Sequence, residues 1–293
     1  MSSVPAPLTA IEPKTPMSSA VWRRFKRSKS ATIGAFLILL LFLVAVLGPY
    51  LAPHDPIRQD LPRQLQGPSE RFLLGTDEFG RDILSRIIFG GRIALQVGFL
   101  AVAVASAIGI TLGLLSGFFG GWVDLVIMRV MDVMLAFPYL LLAMIVVSIL
   151  GPGLQNAMLA VGIVYVPQYA RLVRGAVLTV KENEYVVAAR AMGARDGTIM
   201  WRHILANCLA PIIVQTSLSA GWAIVNAAGL SFLGLGAQPP TPEWGAMLTS
   251  GREYIFQAPW ITTFPGLAIL FTALGFNLLG DGLRDALDPR LKR

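Results

Sequence analysis

The chain has 293 residues, of which 55% are hydrophobic and only 14% charged, with a mean hydropathy of +0.64. A water-soluble domain carries charge on roughly a quarter of its residues, so this composition excludes a soluble globular protein and points to a surface that faces lipid. The net charge of +7 sits largely beside apolar runs, which argues against nucleic acid as a partner, and the single Cys208 with the distant His54 and His203 leaves no disulfide or zinc site.

Residues 1–20 hold Pro5, Pro7, Pro13 and Pro16 among Ser, Thr and Ala, a composition that buries no core and is expected to be disordered. The basic cluster from Trp22 to Lys29 follows, so residues 1–30 read as a cytoplasmic tail held inside by its positive charge. Residues 31–51 read as the first transmembrane helix. Its apolar run from Ala31 to Leu47 is longer than a signal-peptide core, and Gly48-Pro49-Tyr50-Leu51 lacks a cleavage pattern.

Residues 52–91 turn polar, broken by Pro53, Pro56, Pro62 and Pro68, and read as a periplasmic segment. Near its end Ile83, Leu84, Ile87 and Ile88 share one helical face while Asp82, Ser85 and Arg86 take the other. That pattern predicts an amphipathic helix lying along the membrane interface.

Five further spans are predicted, at about 93–115, 126–150, 156–173, 209–233 and 261–279, within a core of residues 92–285. Pro138 and Pro167 are read as packing kinks, and Arg129 with Asp132 as an interfacial ion pair. Trp22, Trp122, Trp244 and Trp260 lie near span ends and read as interface anchors. The fold class is therefore all-α, a polytopic membrane protein with six transmembrane helices, ending in a cytoplasmic tail at 286–293. Of the 24 basic residues, only Arg58, Arg63, Arg71, Arg81, Arg86, Arg92 and Arg252 fall in outer segments. That inside excess places both termini in the cytoplasm of a multi-pass protein.

The polar stretch 181–206 between the fourth and fifth spans carries the most information. Glu184 to Met192 is built of helix formers, Gly193 ends that helix, and Asp196 opens a second one in which Ile199, Met200, His203 and Ile204 share a face. Two short helices joined at a glycine are expected.

This stretch resembles the coupling loop of ABC importer permeases, whose pattern is Glu-Ala-Ala, then Gly, then Ile-x-Leu-Pro. The matching residues are Val187-Ala188-Ala189, Gly193 and His203-Ile204-Leu205-Ala206, with Val187, His203 and Ala206 departing from the usual letters. Further segments, Leu74 to Arg86, Gln238 to Gly245, Ala258-Pro259-Trp260 and Asn277 to Arg290, are similar to the second permease subunit of the dipeptide, oligopeptide and nickel group.

The resemblance implies a type I importer permease and a heterodimer with a homologous permease. It also implies two cytoplasmic ATPase subunits, a periplasmic or lipid-anchored solute-binding protein, and a bacterial inner-membrane location. It assigns Glu184, Val187, Ala188, Ala189, Arg190, Gly193, Asp196, His203 and Leu205 to ATPase coupling, and Asp77, Arg81, Gln238, Glu243 and Trp244 to contact with the binding protein. Di- or oligopeptides are the implied solute, with nickel or glutathione as alternatives.

The sequence contains no Gly-x-x-x-x-Gly-Lys-[Ser/Thr] loop, so ATP and Mg would be held by the partner ATPases and no cofactor by this chain, which is not expected to be an enzyme. Gly234-Leu235-Gly236 lacks the strand context of a dinucleotide site. An ion-coupled transporter would place acidic residues at the centre of its spans, and none of the predicted spans has one there.

Overall fold

The computed structural model describes residues 17–287; the expectations for residues 1–16 and 288–293 lie outside that range. Eleven helices account for most of it, and among the described residues there is no strand beyond an isolated bridge between Thr76 and Asp82. In chain order they are α1 Met17–Arg27, α2 Lys29–Leu51, α3 Ile83–Phe119, α4 Gly121–Ala136, α5 Tyr139–Leu150, α6 Leu154–Val180, α7 Glu184–Ala191, α8 Asp196–Thr198, α9 Ala206–Phe232, α10 Trp244–Gly251 and α11 Trp260–Leu287. Met17 to Ala20, expected to be disordered, already belong to α1.

By length and composition α2, α3, the rod from Asp196 to Phe232, and α11 can each cross a membrane; the bent pair α4–α5 makes a fifth span if read as one. Helix α6 joins the same two ends of the bundle over 27 residues, with Gln155, Asn156, Gln168, Arg171 and Arg174 diluting its apolar character. One end of the bundle carries the loop 52–82 and is called here the cap end; the other carries α7.

Two expected elements differ. Residues 83–88 form no separate interfacial helix; they are the first turns of α3, which runs unbroken for 37 residues. Asp82 starts it by accepting the Ser85 amide at 2.9 Å, and Ser85 and Arg86 are buried rather than facing water. The polar side of the pattern faces the protein's own cap.

The third span is broken, not merely kinked. Phe137, forced to an extended conformation (φ −88°, ψ 139°) by the ring of Pro138, ends α4, and α5 leaves at 100°. Pro167, by contrast, stays inside a continuous α6.

The centre of the bundle is the crossing of α3 and α6. Gly109, Gly113 and Gly117 recur every four residues along α3, and a Cβ at each would lie 2.4 Å from Tyr169 Cβ, 2.5 Å from Ala170 O and 2.8 Å from Val177 Cβ. Gly162 of α6 fits the same way against Ala101 and Val104. Lipid offers no hydrophobic drive between helices, so this close backbone approach supplies the van der Waals attraction instead. A second seam of the same kind joins Gly34 of α2 to Leu279 and Gly282 of α11 to Ala31. The outward side of α2, with Phe36, Leu40, Phe42 and Val46 exposed, is left for lipid.

Gly113→Leu should therefore force α3 and α6 apart and destabilise the chain by about 1–3 kcal/mol. Gly175→Ala, whose Cβ would meet nothing within 4 Å, should not. Thermal unfolding of both variants in detergent checks the pair, and equal melting of the two would refute the seam's importance.

Candidate functional site

Helix α7 lies across the end of the bundle. Val186 packs with Phe118 of α3, Val177 of α6 and Ile199 and Ile204 of the following segment, and Ala189 is buried on the same side, which fixes the helix by one face. The opposite face is open: Glu184, Ala188 and Ala191 are exposed, with Tyr185 44%, Val187 59% and Met192 81% accessible. Trp201, 60% accessible, extends this apolar surface. Arg195 and Arg202 are also exposed here, and Arg190 stacks over the Phe118 ring at 5.6 Å. Exposed apolar surface rimmed by charge makes this face a candidate interaction surface.

Gly193 ends α7 at φ +81°, a left-handed turn that lets Ala194 N–H reach Ala189 O at 3.1 Å. A Cβ there would meet nothing within 4 Å, so the requirement for glycine is conformational.

The second expected helix is not a separate piece. After α8 the chain takes a π-helical stretch, Ile199–Leu205, and continues without interruption into α9. The physical reason is register. Ile199 and Ile204 are five residues apart and both fully buried, which a π turn aligns and an α turn would not. Ala206 carries an N–H and no ring to interrupt the helix. Asp196 stands in the first turn, exposed, with Arg195 in the capping position; His203 and Leu205 are half-buried.

Polar ties fasten this end to the bundle. Arg174 of α6 grips the Asp124 carboxylate of α4 with two hydrogen bonds of 2.5 and 2.6 Å, Ser116 of α3 joins it, and Lys181 donates to Gly117 O at 3.1 Å. Asp132 pairs with Arg171 of α6 at 2.5 Å, which corrects the expected pairing with Arg129. The sequence hint for Asp124 was an acid in the first turn of a helix opened by two glycines.

The cap end is built around buried charge. Asp77 accepts N–H bonds from Phe79 and Arg81 on one oxygen and the Arg81 guanidinium at 2.6 Å on the other; Arg81 also reaches Glu78 at 3.0 Å, and Arg86 lies 3.6 Å from Asp77. Arg81 and Arg86, exceptions to the inside excess of positive charge, are thus internal partners of carboxylates. Burial first, and the Asp77 charge second, push the Glu78 carboxyl above its ordinary value.

Two tryptophans lock the cap to the helices. Trp260 donates to Thr76 O at 3.1 Å, and Trp244, pressed against Gly90, donates to Ile87 O at 3.1 Å. Neither is the lipid anchor expected of it, since each spends its N–H on a backbone carbonyl of the protein; Trp22 and Trp122 remain exposed. Glu243 caps α10 through the amides of Gly245 and Ala246, and burial pushes its carboxyl up against their opposing pull. Of the five side chains expected to touch a binding protein, only Gln238 is exposed. Asp77, Arg81, Glu243 and Trp244 are buried and hold the loops in place from beneath.

Residues 109–293 match the family described as the binding-protein-dependent transport system inner membrane component, and residues 15–68 match the N-terminal transmembrane domain of oligopeptide transport permease C. The dipeptide transport system permease protein DppC of Alkalihalophilus pseudofirmus is 49% identical over 98% of this chain and 97% of its own. The glutathione transport system permease protein GsiD of Pectobacterium atrosepticum is 52% identical over 92% of this chain and 90% of its own. An inward-facing structure of the MetNI methionine ABC transporter, 18% identical, superposes with a TM-score of 0.58 over 70% of this chain and 98% of that one, and shares the fold.

Asp77→Ala should leave Arg81 and Arg86 buried without their shared carboxylate and cost about 3–5 kcal/mol. Gln238→Ala, at an exposed position, should stay within about 0.5 kcal/mol of the parent. Thermal unfolding of the purified protein decides it, and a wild-type melting temperature for Asp77→Ala would contradict a structural role for the cluster.

Proposed function

Because the chain belongs to the binding-protein-dependent transport system inner membrane component family, we propose that it works with α7 facing the cytoplasm and carries di- or oligopeptides inward. It is a permease subunit of an ABC importer. In the proposed assembly a homologous permease completes the pore, two ATPases holding ATP and Mg dock on the α7 face, and a solute-binding protein delivers the ligand at the cap end. This chain itself holds no cofactor and catalyses nothing.

The observation that carries the reading is the apolar face of Tyr185, Val187, Met192 and Trp201 on a helix whose other side is buried in the bundle. A force applied there has a direct route. The π-helical stretch fuses the docking surface to α9, making one rod of 37 residues from Asp196 to Phe232. At about 1.5 Å per residue it reaches across the membrane. At its far end the Thr249 hydroxyl of α10 donates to the Phe232 carbonyl at 2.9 Å, so a tilt of the rod moves the cap loops as well. That linkage supports alternating access, in which closure of the ATPases at one end opens the pore to the other.

Gly193→Val should strain the left-handed turn by about 1–2 kcal/mol and misplace α7. In the assembled complex, uptake and binding-protein-stimulated ATPase should fall together by a factor of about 5–30, whereas Gly197→Ala should change neither. If Gly193→Val left both rates at wild type, α7 would not be the coupling element.

The relatives named for glutathione transport favour a second reading, in which the solute is a γ-linked tripeptide. Reconstitution with the partner subunits and each candidate binding protein separates the two. ATP-dependent uptake of labelled dipeptide, uncompeted by glutathione, supports the first, and the reverse preference supports the second.

A further inference from the structure

One face of the bundle is chemically unlike the rest of its membrane surface. Along α9, Gln215, Ser219, Trp222 and Asn226 recur at spacings of four, three and four residues and so form a single stripe. The stripe faces α6 and is knitted to it by side chains. Gln215 reaches Gln168 of α6 at 3.5 Å and Ser219 of its own helix at 3.0 Å, Tyr169 donates to Thr216 at 3.3 Å, and Asn226 donates to Tyr165 at 3.3 Å. Gln168 is exposed and Trp222 is 55% accessible. At its lower end the stripe opens into a cavity of about 430 Å³ lined by Leu172, Pro211, Gln215 and Arg284 among others.

Amides left facing hydrocarbon are costly, because lipid offers them no hydrogen bond. The face that α2 turns outward shows the alternative the protein uses where lipid is the neighbour, with Phe36, Leu40 and Phe42 and no polar group between them. The α6–α9 seam therefore faces something polar. Its own chemistry says what kind: α9 contains no charged residue, and α6 contains none before Arg171. Between Leu154 and Gln168 on α6 and along α9 the lining donates and accepts hydrogen bonds without a charge of its own, while Arg284 of α11 places a cation in the adjoining cavity.

We infer that this seam, with Gln168, Gln215, Trp222 and Asn226, lines the solute's path and binds uncharged amide groups such as those of a short peptide backbone. Trp222 offers an aromatic surface to whatever side chains accompany them. The inference rests on the importer reading above and adds the location and chemistry of the path.

The test uses the assembled importer in liposomes and a membrane-impermeant thiosulfonate reagent. Cys208 is fully buried, so the parent serves as the blank. Gln215→Cys and Asn226→Cys should react at least tenfold faster than Phe36→Cys on the lipid face, at rates that change when the ATPases are trapped with vanadate. Gln215→Leu should lower dipeptide uptake several-fold while binding-protein-stimulated ATPase persists. Labelling no faster than Phe36→Cys, or unchanged uptake in Gln215→Leu, overturns the seam while leaving the importer reading intact. A parent complex whose ATPase ignores the binding protein overturns the importer reading, and the seam with it.

Discussion

Backbone contact between α3 and α6 is the constraint on which the remaining architecture depends. Three glycines a turn apart let Tyr169, Ala170 and Val177 of α6 settle against the bare surface of α3. With lipid on the outside, there is no gain in hiding apolar side chains, and only such tight contact, with hydrogen bonds at the ends, holds two helices in a fixed relation. The glycines place the Asp124–Arg174 clasp at one end and the start of the cap at the other.

The two ends solve opposite problems. At the α7 end the chain leaves apolar side chains in the open and ties Asp124 and Asp132 to arginines of α6, a surface suited to being covered. At the cap end it buries Asp77, Arg81 and Arg86 together, and indole N–H groups pin the loop to α11 and α10 to α3. Removing one member of such a cluster strands the others, so the cap is rigid in a way that a solvated loop of similar length is not. The long α9 rod, continuous through its π-helical start and Pro211, spans the distance between these surfaces.

The membrane character, the approximate spans and the short helix ended by Gly193 were legible because they rest on runs of residues and on a local motif. What failed depends on partners far away in sequence. Asp82, Ser85 and Arg86 looked like the wet side of an interfacial helix, yet their neighbours are His54, Pro56 and Asp77, which no periodicity reveals. Trp244 and Trp260 looked like anchors because a tryptophan at a span end usually is one, and only the carbonyls of Ile87 and Thr76 decide otherwise. Asp132 lay three residues from an arginine but found another on α6. The break at Phe137-Pro138 was visible as a proline; its 100° angle was not, since that is set by what α5 packs against.

The absence of formal charge along α9 has an electrical consequence. Each elementary charge carried across a membrane couples to the potential by about 2.3 kcal/mol per 100 mV. A rod that tilts or slides with no charged side chain between Ala206 and Phe232 displaces none of its own through that field. The membrane voltage therefore does no work on the side chains of α9 itself, whatever tilt the helix undergoes.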